Sequence, residues 1–192
     1  MNFREGQRQN IHRQLIEKCR SQDQAAQFGI YQLYYKAMYN TALRMVNIPA
    51  DAEDIMQESF LLAFTKIDTY KGEVDFGAWL KKIVVNKSID LLRTRKAFFE
   101  EIDEGVKTYE TEEYNLENEE EINREITRIK KAIAGLADGY RVVLSLYLIE
   151  GYDHDEIAQI LKISPSGSRS QLTRAKQKLT EILNKKQKDE KT

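Results

Sequence analysis

Residues 151–179 read GYDHDEIAQILKISPSGSRSQLTRAKQKL. Asp153 followed three residues later by Glu156 forms a capping box, in which the Asp accepts from the first-turn amides and the Glu reaches back. Ile157, Ala158, Ile160 and Leu161 then supply one apolar helical face. Ser164 is placed to cap a second helix and Pro165 to occupy its first position, where a missing N–H costs nothing. A short helix, a tight break and a capped second helix are the grammar of a helix-turn-helix.

Advancing the second helix by roughly 100° per residue separates two faces. Leu172, Ala175, Leu179 and Leu183 share the packing side. Ser166, Ser170, Thr173, Arg174 and Gln177 share the other, with Arg169 on its flank. Hydroxyls, an amide and guanidinium groups are the side chains that pair with base edges in a major groove, and the small residues 166–170 let backbone approach a phosphate. The plain alternative is an amphipathic surface helix. The capped pair and the local basic surplus argue against it.

The surplus is one of three charge blocks concealed by a formal net charge of −1. Residues 162–188 hold eight basic groups and one acidic; 71–96 hold seven basic and three acidic; 97–121 hold eleven acidic groups and one Lys. Two basic segments flanking an acidic one suggest two nucleic-acid-facing modules on a solvated tether. With 32 % charged and 41 % hydrophobic residues but only 2 Pro and 9 Gly, the 192-residue chain reads as helix-rich and folded. Its single Cys, Cys19, cannot form an internal disulfide. With no signal peptide and no apolar run long enough for a membrane span, a cytoplasmic location and no membrane insertion are expected. His12 and His154 lack companions at ligand spacing, so no metal and no cofactor are expected.

Further upstream, Ile11, Leu15 and Cys19 give only a marginal helix within 1–23. Phe28, Tyr31, Tyr35, Met38 and Leu43 or Ala42 predict a helix with one buried stripe over 24–46. A helix over 51–67 has Asp51 as its cap, with Ile55, Ser59 and Leu62 beside Met56, Phe60, Ala63 and Ile67. After a loop containing Gly72, a helix over about 75–95 is expected to bury Leu80, Val84, Leu91 and the stem of Lys87. Its opposite stripe carries Trp79, Lys82, Asn86, Asp90 and Arg93, with Trp79 a core anchor rather than a base stacker. Periodicity returns with Ile122, Ile126, Ile129 and Ile133, then with an apolar helix between Asp138 and Gly151. The fold class is all-α: two small helical domains, 24–96 and 122–186, joined by an acidic linker over 97–121, with a frayed tail over 187–192.

Three segments in one order carry a resemblance. The stretch 151–179 resembles the promoter-reading region 4 of bacterial RNA polymerase sigma factors of the extracytoplasmic-function (ECF) group. DAEDIMQESFLLAF (51–64) resembles the core-polymerase-binding helix of their region 2, and FGAWLKKIVVNKSIDLLRTRK (76–96) the helix that handles the −10 element. The resemblance implies a transcription initiation factor with no enzymatic activity. Its partners would be core RNA polymerase, through the clamp helices and flap, promoter DNA, and an anti-sigma factor in some states.

The resemblance also implies site residues. Arg169, Ser170, Thr173 and Arg174, with Ser166, would contact the −35 element. Lys82, Asn86 and Arg93, with Lys71 and Phe76 from the loop, would hold a flipped base of the −10 element, a role suited to cations on phosphates and an amide on an unstacked base. Asp51, Asp54, Gln57 and Glu58 would face basic residues of the clamp helices. Where the family commonly has Gly-Thr-Val-Lys-Ser-Arg, this chain has Ser166, Gly167, Ser168, Arg169, Ser170 and Gln171. That costs helix propensity at Gly167 and a cation at Gln171. A helix-turn-helix regulator acting without polymerase accounts for the C-terminal segment but leaves 51–96 unexplained. A helical scaffold or small enzyme has no Ser/His/Asp set, metal spacing or phosphate loop behind it.

Overall fold

The computed structural model describes residues 3–95 and 122–189, and the side chains of 12–95 and 124–185. The expected acidic linker lies outside the described residues. Within them the chain forms eight α-helices, one short 3-10 turn and no strand. The chain divides into two compact units, Met1–Asp90 and Leu91–Thr192.

The first unit contains α1 (Phe3–Arg20), α2 (Gln24–Val46), α3 (Pro49–Thr65), the 3-10 turn Ile67–Thr69 and most of α4 (Phe76–Thr94). The N-terminal segment is not marginal: α1 packs on α2 and on the 3-10 turn, and buries Ile16 and Cys19. Asp23 caps α2 by accepting from the Ala26 amide at 3.0 Å. Asn47, in the left-handed region at φ 57°, ends α2. Pro49 then sits at the first positions of α3, so Asp51 lies inside the first turn rather than at the cap.

On α2, Met38 and Ala42 are buried as expected, but the aromatic part of the expected stripe is not. The buried line of the helix is Ala26, Ile30, Met38, Ala42, Met45 and Val46, whereas Phe28 is 59 % exposed and Tyr35 is also exposed. The aromatic row lies one stripe round the helix. Tyr31 stacks on Tyr35 (centroids 5.5 Å) and packs against Phe60 of α3 at 5.0 Å. Two stripes of large side chains run along α2, and contact with α1 and α3 decides which is covered. In α3 the expected Ile55, Met56, Ser59, Phe60 and Ala63 are buried, with Ala52, and the expected Ile67 is buried in the 3-10 turn that follows; Leu62 is half-buried. In α4 the buried line is Leu80, Val84, Val85, Ser88 and Ile89, while Leu91 and Lys87 sit half-buried at its edge. Each fully buried Ile, Leu or Met contributes about 1.5–3 kcal/mol of transfer free energy.

The second unit contains α5 (Ile122–Ala134), α6 (Asp138–Leu148), α7 (His154–Leu161) and α8 (Pro165–Asp189), with α5, α6 and α7 all packing on α8. The last of these runs on to Asp189, into the segment expected to fray. Ile126 and Ile129 are exposed at 43 % and 39 %; Ala132 and Leu136 do the burying there. The capping box forms as expected: Asp153 accepts from Asp155 and Glu156, and Glu156 accepts from the Asp153 amide. Arg141 is a feature no periodicity reveals. It is 1 % exposed, ion-paired with Asp138 and donating to the Leu136 carbonyl at 2.9 Å. A buried guanidinium is tolerated only when its hydrogen bonds are supplied in this way.

Candidate nucleic-acid interfaces

In the first unit the loop before α4 is tightly built. Tyr70 donates its hydroxyl to the Val74 carbonyl at 2.7 Å, closing a short circuit over Lys71–Val74. Gly72 takes φ +77° with open space around it, as a tight turn requires. Asp75 accepts from the Gly77 amide at 2.8 Å and so starts α4. At Gly77 a Cβ would lie 2.8 Å from the Tyr34 ring, so only glycine admits this approach of helix to ring. Beneath the loop Tyr34, Tyr70, Phe76 and Trp79 form a cluster with centroids 5.3–5.6 Å apart. Burial, then the charges of Asp75 and Tyr70, push the Tyr34 hydroxyl up to about 12.

This geometry sorts the residues expected at the −10 element. Lys71 is exposed on the loop, and Lys82 and Asn86 are exposed one turn apart on α4. Arg93, in the last turn of α4, is half-buried. Phe76 is 2 % exposed, with its ring packed against Tyr34, Tyr70 and Trp79. The burial follows from its position as the first residue of α4, where the helix entry turns inward. Trp79 is half-buried in the same cluster.

On α3, Asp54, Gln57 and Glu58 are exposed and Asp51 is half-buried. Gln57 donates to Glu53 at 3.2 Å, which adds Glu53 to the acidic strip. Glu58 is ion-paired with Lys87 of α4. At this exposure the pair contributes at most about 1 kcal/mol, so Glu58 can exchange it for another cation.

In the second unit Ser166, Arg169, Ser170, Thr173, Arg174 and Gln177 are all exposed on α8, opposite buried Leu172 and Ala175. Thr173 donates to the Arg169 carbonyl at 3.0 Å, which leaves its oxygen as an acceptor. Ser164 caps the helix by accepting from the Gly167 amide at 3.0 Å, and its hydroxyl also meets that of Ser166 at 3.0 Å. Ser166 therefore belongs partly to the turn. A Cβ at Gly167 would lie 3.1 Å from the Ser164 oxygen, so this glycine lets the capping hydroxyl sit close.

Ser168 points the other way. It is 0 % exposed and hydrogen-bonded to His154 Nδ1 at 2.9 Å, tying the first turn of α7 to the first turn of α8. His154 in turn stacks on Tyr147 at 4.7 Å. Among the described residues no group of three His, Cys, Asp or Glu side chains is placed to hold a metal ion, and no helix is long and apolar enough to cross a membrane.

Two family descriptions match the chain: Sigma-70 region 2 over residues 30–98, and Sigma-70 region 4 over 126–179. Among similar proteins, the ECF RNA polymerase sigma factor SigW of Bacillus subtilis is 28 % identical over 88 % of this chain and 94 % of the relative. SigM of the same organism is 29 % identical over 84 % of this chain and 97 % of the relative. Among solved structures, the sigma factor RpoE of Bartonella quintana, in complex with the anti-sigma factor NepR, shares the fold with a TM-score of 0.53. That likeness has 22 % identity and covers 81 % of this chain and 95 % of RpoE.

Proposed function

The chain belongs to the ECF group of the sigma-70 family, whose members are transcription initiation factors, and from that premise we propose how its surfaces divide the work. The exposed strip of α3, with Asp54, Gln57 and Glu58 and the newly added Glu53, docks on core RNA polymerase. The loop 71–75 with Lys82 and Asn86 takes the unstacked non-template strand of the −10 element. The exposed face of α8 reads the −35 element in the major groove, Arg169 and Arg174 supplying charge and Ser170 and Thr173 the finer contacts. An anti-sigma partner belongs to the same proposal, on the resemblance of the sequence motifs.

The observation that carries this reading is that each unit exposes residues of its expected contact set on a helix whose opposite side is buried: Lys82 and Asn86 on α4, and Arg169, Ser170, Thr173 and Arg174 on α8. A helix-turn-helix regulator without polymerase would use only one of the two sets. The test is transcription in vitro with core polymerase and genomic fragments, comparing the chain with its Asn86→Ala variant. Start sites should appear only with the chain added. The variant should bind core polymerase normally while permanganate reactivity of −10 thymines falls. Failure of the unaltered chain to direct any initiation would refute the assignment.

A further inference from the structure

We propose that Arg20, at the C-terminal end of α1, is a positioning residue for the loop that receives the −10 base; this rests on the reading of loop 71–75 given above. Arg20 Nη2 donates to the Tyr70 carbonyl at 2.6 Å, and Nη1 lies 3.3 Å from Asp68 Oδ1. Glu17 steadies the guanidinium from one turn back, at 3.5 Å from Nε. The guanidinium is thus spread over both ends of the segment 68–70, immediately before the loop tip, as a planar fork can do and an ammonium cannot.

The two contacts are unequal. Asp68 is 79 % exposed, so its pair with Arg20 is screened and weak. The carbonyl bond is partly buried and charge-assisted. It fixes the peptide that links Tyr70 to Lys71. Tyr70 is the pivot of the whole loop: its carbonyl is held by Arg20, its hydroxyl holds Val74, and its ring packs on Phe76 and Trp79. Turning that peptide would move Lys71 and release the Val74 end together.

Arg20 lies outside residues 30–98, the part that matches region 2. A helix beyond the matched segment therefore sets the shape of a loop within it. Water can replace the lost donor at a partly exposed carbonyl, so losing Arg20 should alter where the loop sits more than whether the unit folds.

The test uses the full chain with core polymerase and a single-stranded oligonucleotide carrying the non-template −10 sequence of an active promoter. Each position is changed in turn to the other three bases. Arg20→Ala should reduce discrimination at the base held by the loop by about tenfold, with core affinity and −35 duplex binding unchanged. Arg20→Lys should recover only part of it. Tyr70→Phe, which keeps the ring and removes the bond to Val74, should show the same loss and serves should Arg20→Ala fail to fold. Unaltered discrimination in Arg20→Ala, or in a folded Tyr70→Phe, overturns the proposal. If the parent chain shows no base preference in the −10 region, the loop reading itself has failed and the role of Arg20 falls with it.

Discussion

The two candidate DNA-facing surfaces are built by opposite means. On α8 the supporting contacts are short-range: Ser164 caps Gly167 three residues on, and His154 reaches Ser168 across 14 positions. At the loop before α4 they are long-range: Arg20 holds Tyr70 across 50 positions, and Tyr34 of α2 packs under Phe76 and against Gly77. A rigid helix face can be presented by its own caps, because hydrogen bonds inside the helix keep the side chains in register. A loop has no such ladder, and its shape must be imposed by the elements around it. The loop before α4 therefore depends on the integrity of a whole unit, the α8 face on a few local bonds.

Removing the Phe76 ring is the severest way to probe this contrast. Phe76→Ala should cost about 3–5 kcal/mol and lower the urea midpoint of the first unit, leaving −35 binding by the second intact. Full stability with a loss confined to −10 binding would mean that Phe76 contacts the strand directly rather than supporting the loop from beneath.

Arg174→Ala comes next. It should weaken binding to −35 duplex by about 1–3 kcal/mol with no change in thermal midpoint, since the side chain is exposed. A matching fall in stability would mean that this face of α8 is packed rather than presented. Asp153→Ala should cost about 1 kcal/mol of stability through the lost cap and reach DNA binding only indirectly, through α7. Circular dichroism melts alongside duplex titrations separate the two.

The mildest test is alkaline pH. Burial, then the charge of Asp23, raises the Cys19 thiol from 9.0 to about 11, and the Tyr34 hydroxyl rises from 10.0 to about 12. Tyr70 is raised in the same direction by burial, then Asp75. Each of these groups ionises more readily in the unfolded chain, so unfolding releases protons as the pH rises. Their contribution is complete below pH 9 and is lost progressively toward pH 12. In the second unit Tyr152 is raised by burial, then Glu150. The urea midpoint of the first unit should therefore decline more steeply with pH than that of the second. Parallel profiles would show that the buried groups under the loop ionise without disturbing it.

The amino-acid sequence by itself determined the capped pair α7–α8 and the division of α8 into a packed and a presented side. Caps act within three residues and helical faces follow from a fixed rotation per residue, so both can be computed from spacing alone. Its reach ended where two solutions were locally equal. Along α2 both the Phe28–Tyr31–Tyr35 row and the Ile30–Met38–Met45 line satisfy helical periodicity, and only packing by α1 and α3 buried the second. The inward turn of Phe76 and the grip of Arg20 on Tyr70 were likewise decided by tertiary structure. So was the burial of Arg141, where a charge that propensity would leave in water is held by Asp138 and a backbone carbonyl. For α2, Phe76 and Arg20 the deciding partner comes from another element of the unit, which spacing along one helix does not encode; Arg141 finds its partners three and five residues back, but the burial that requires them is tertiary.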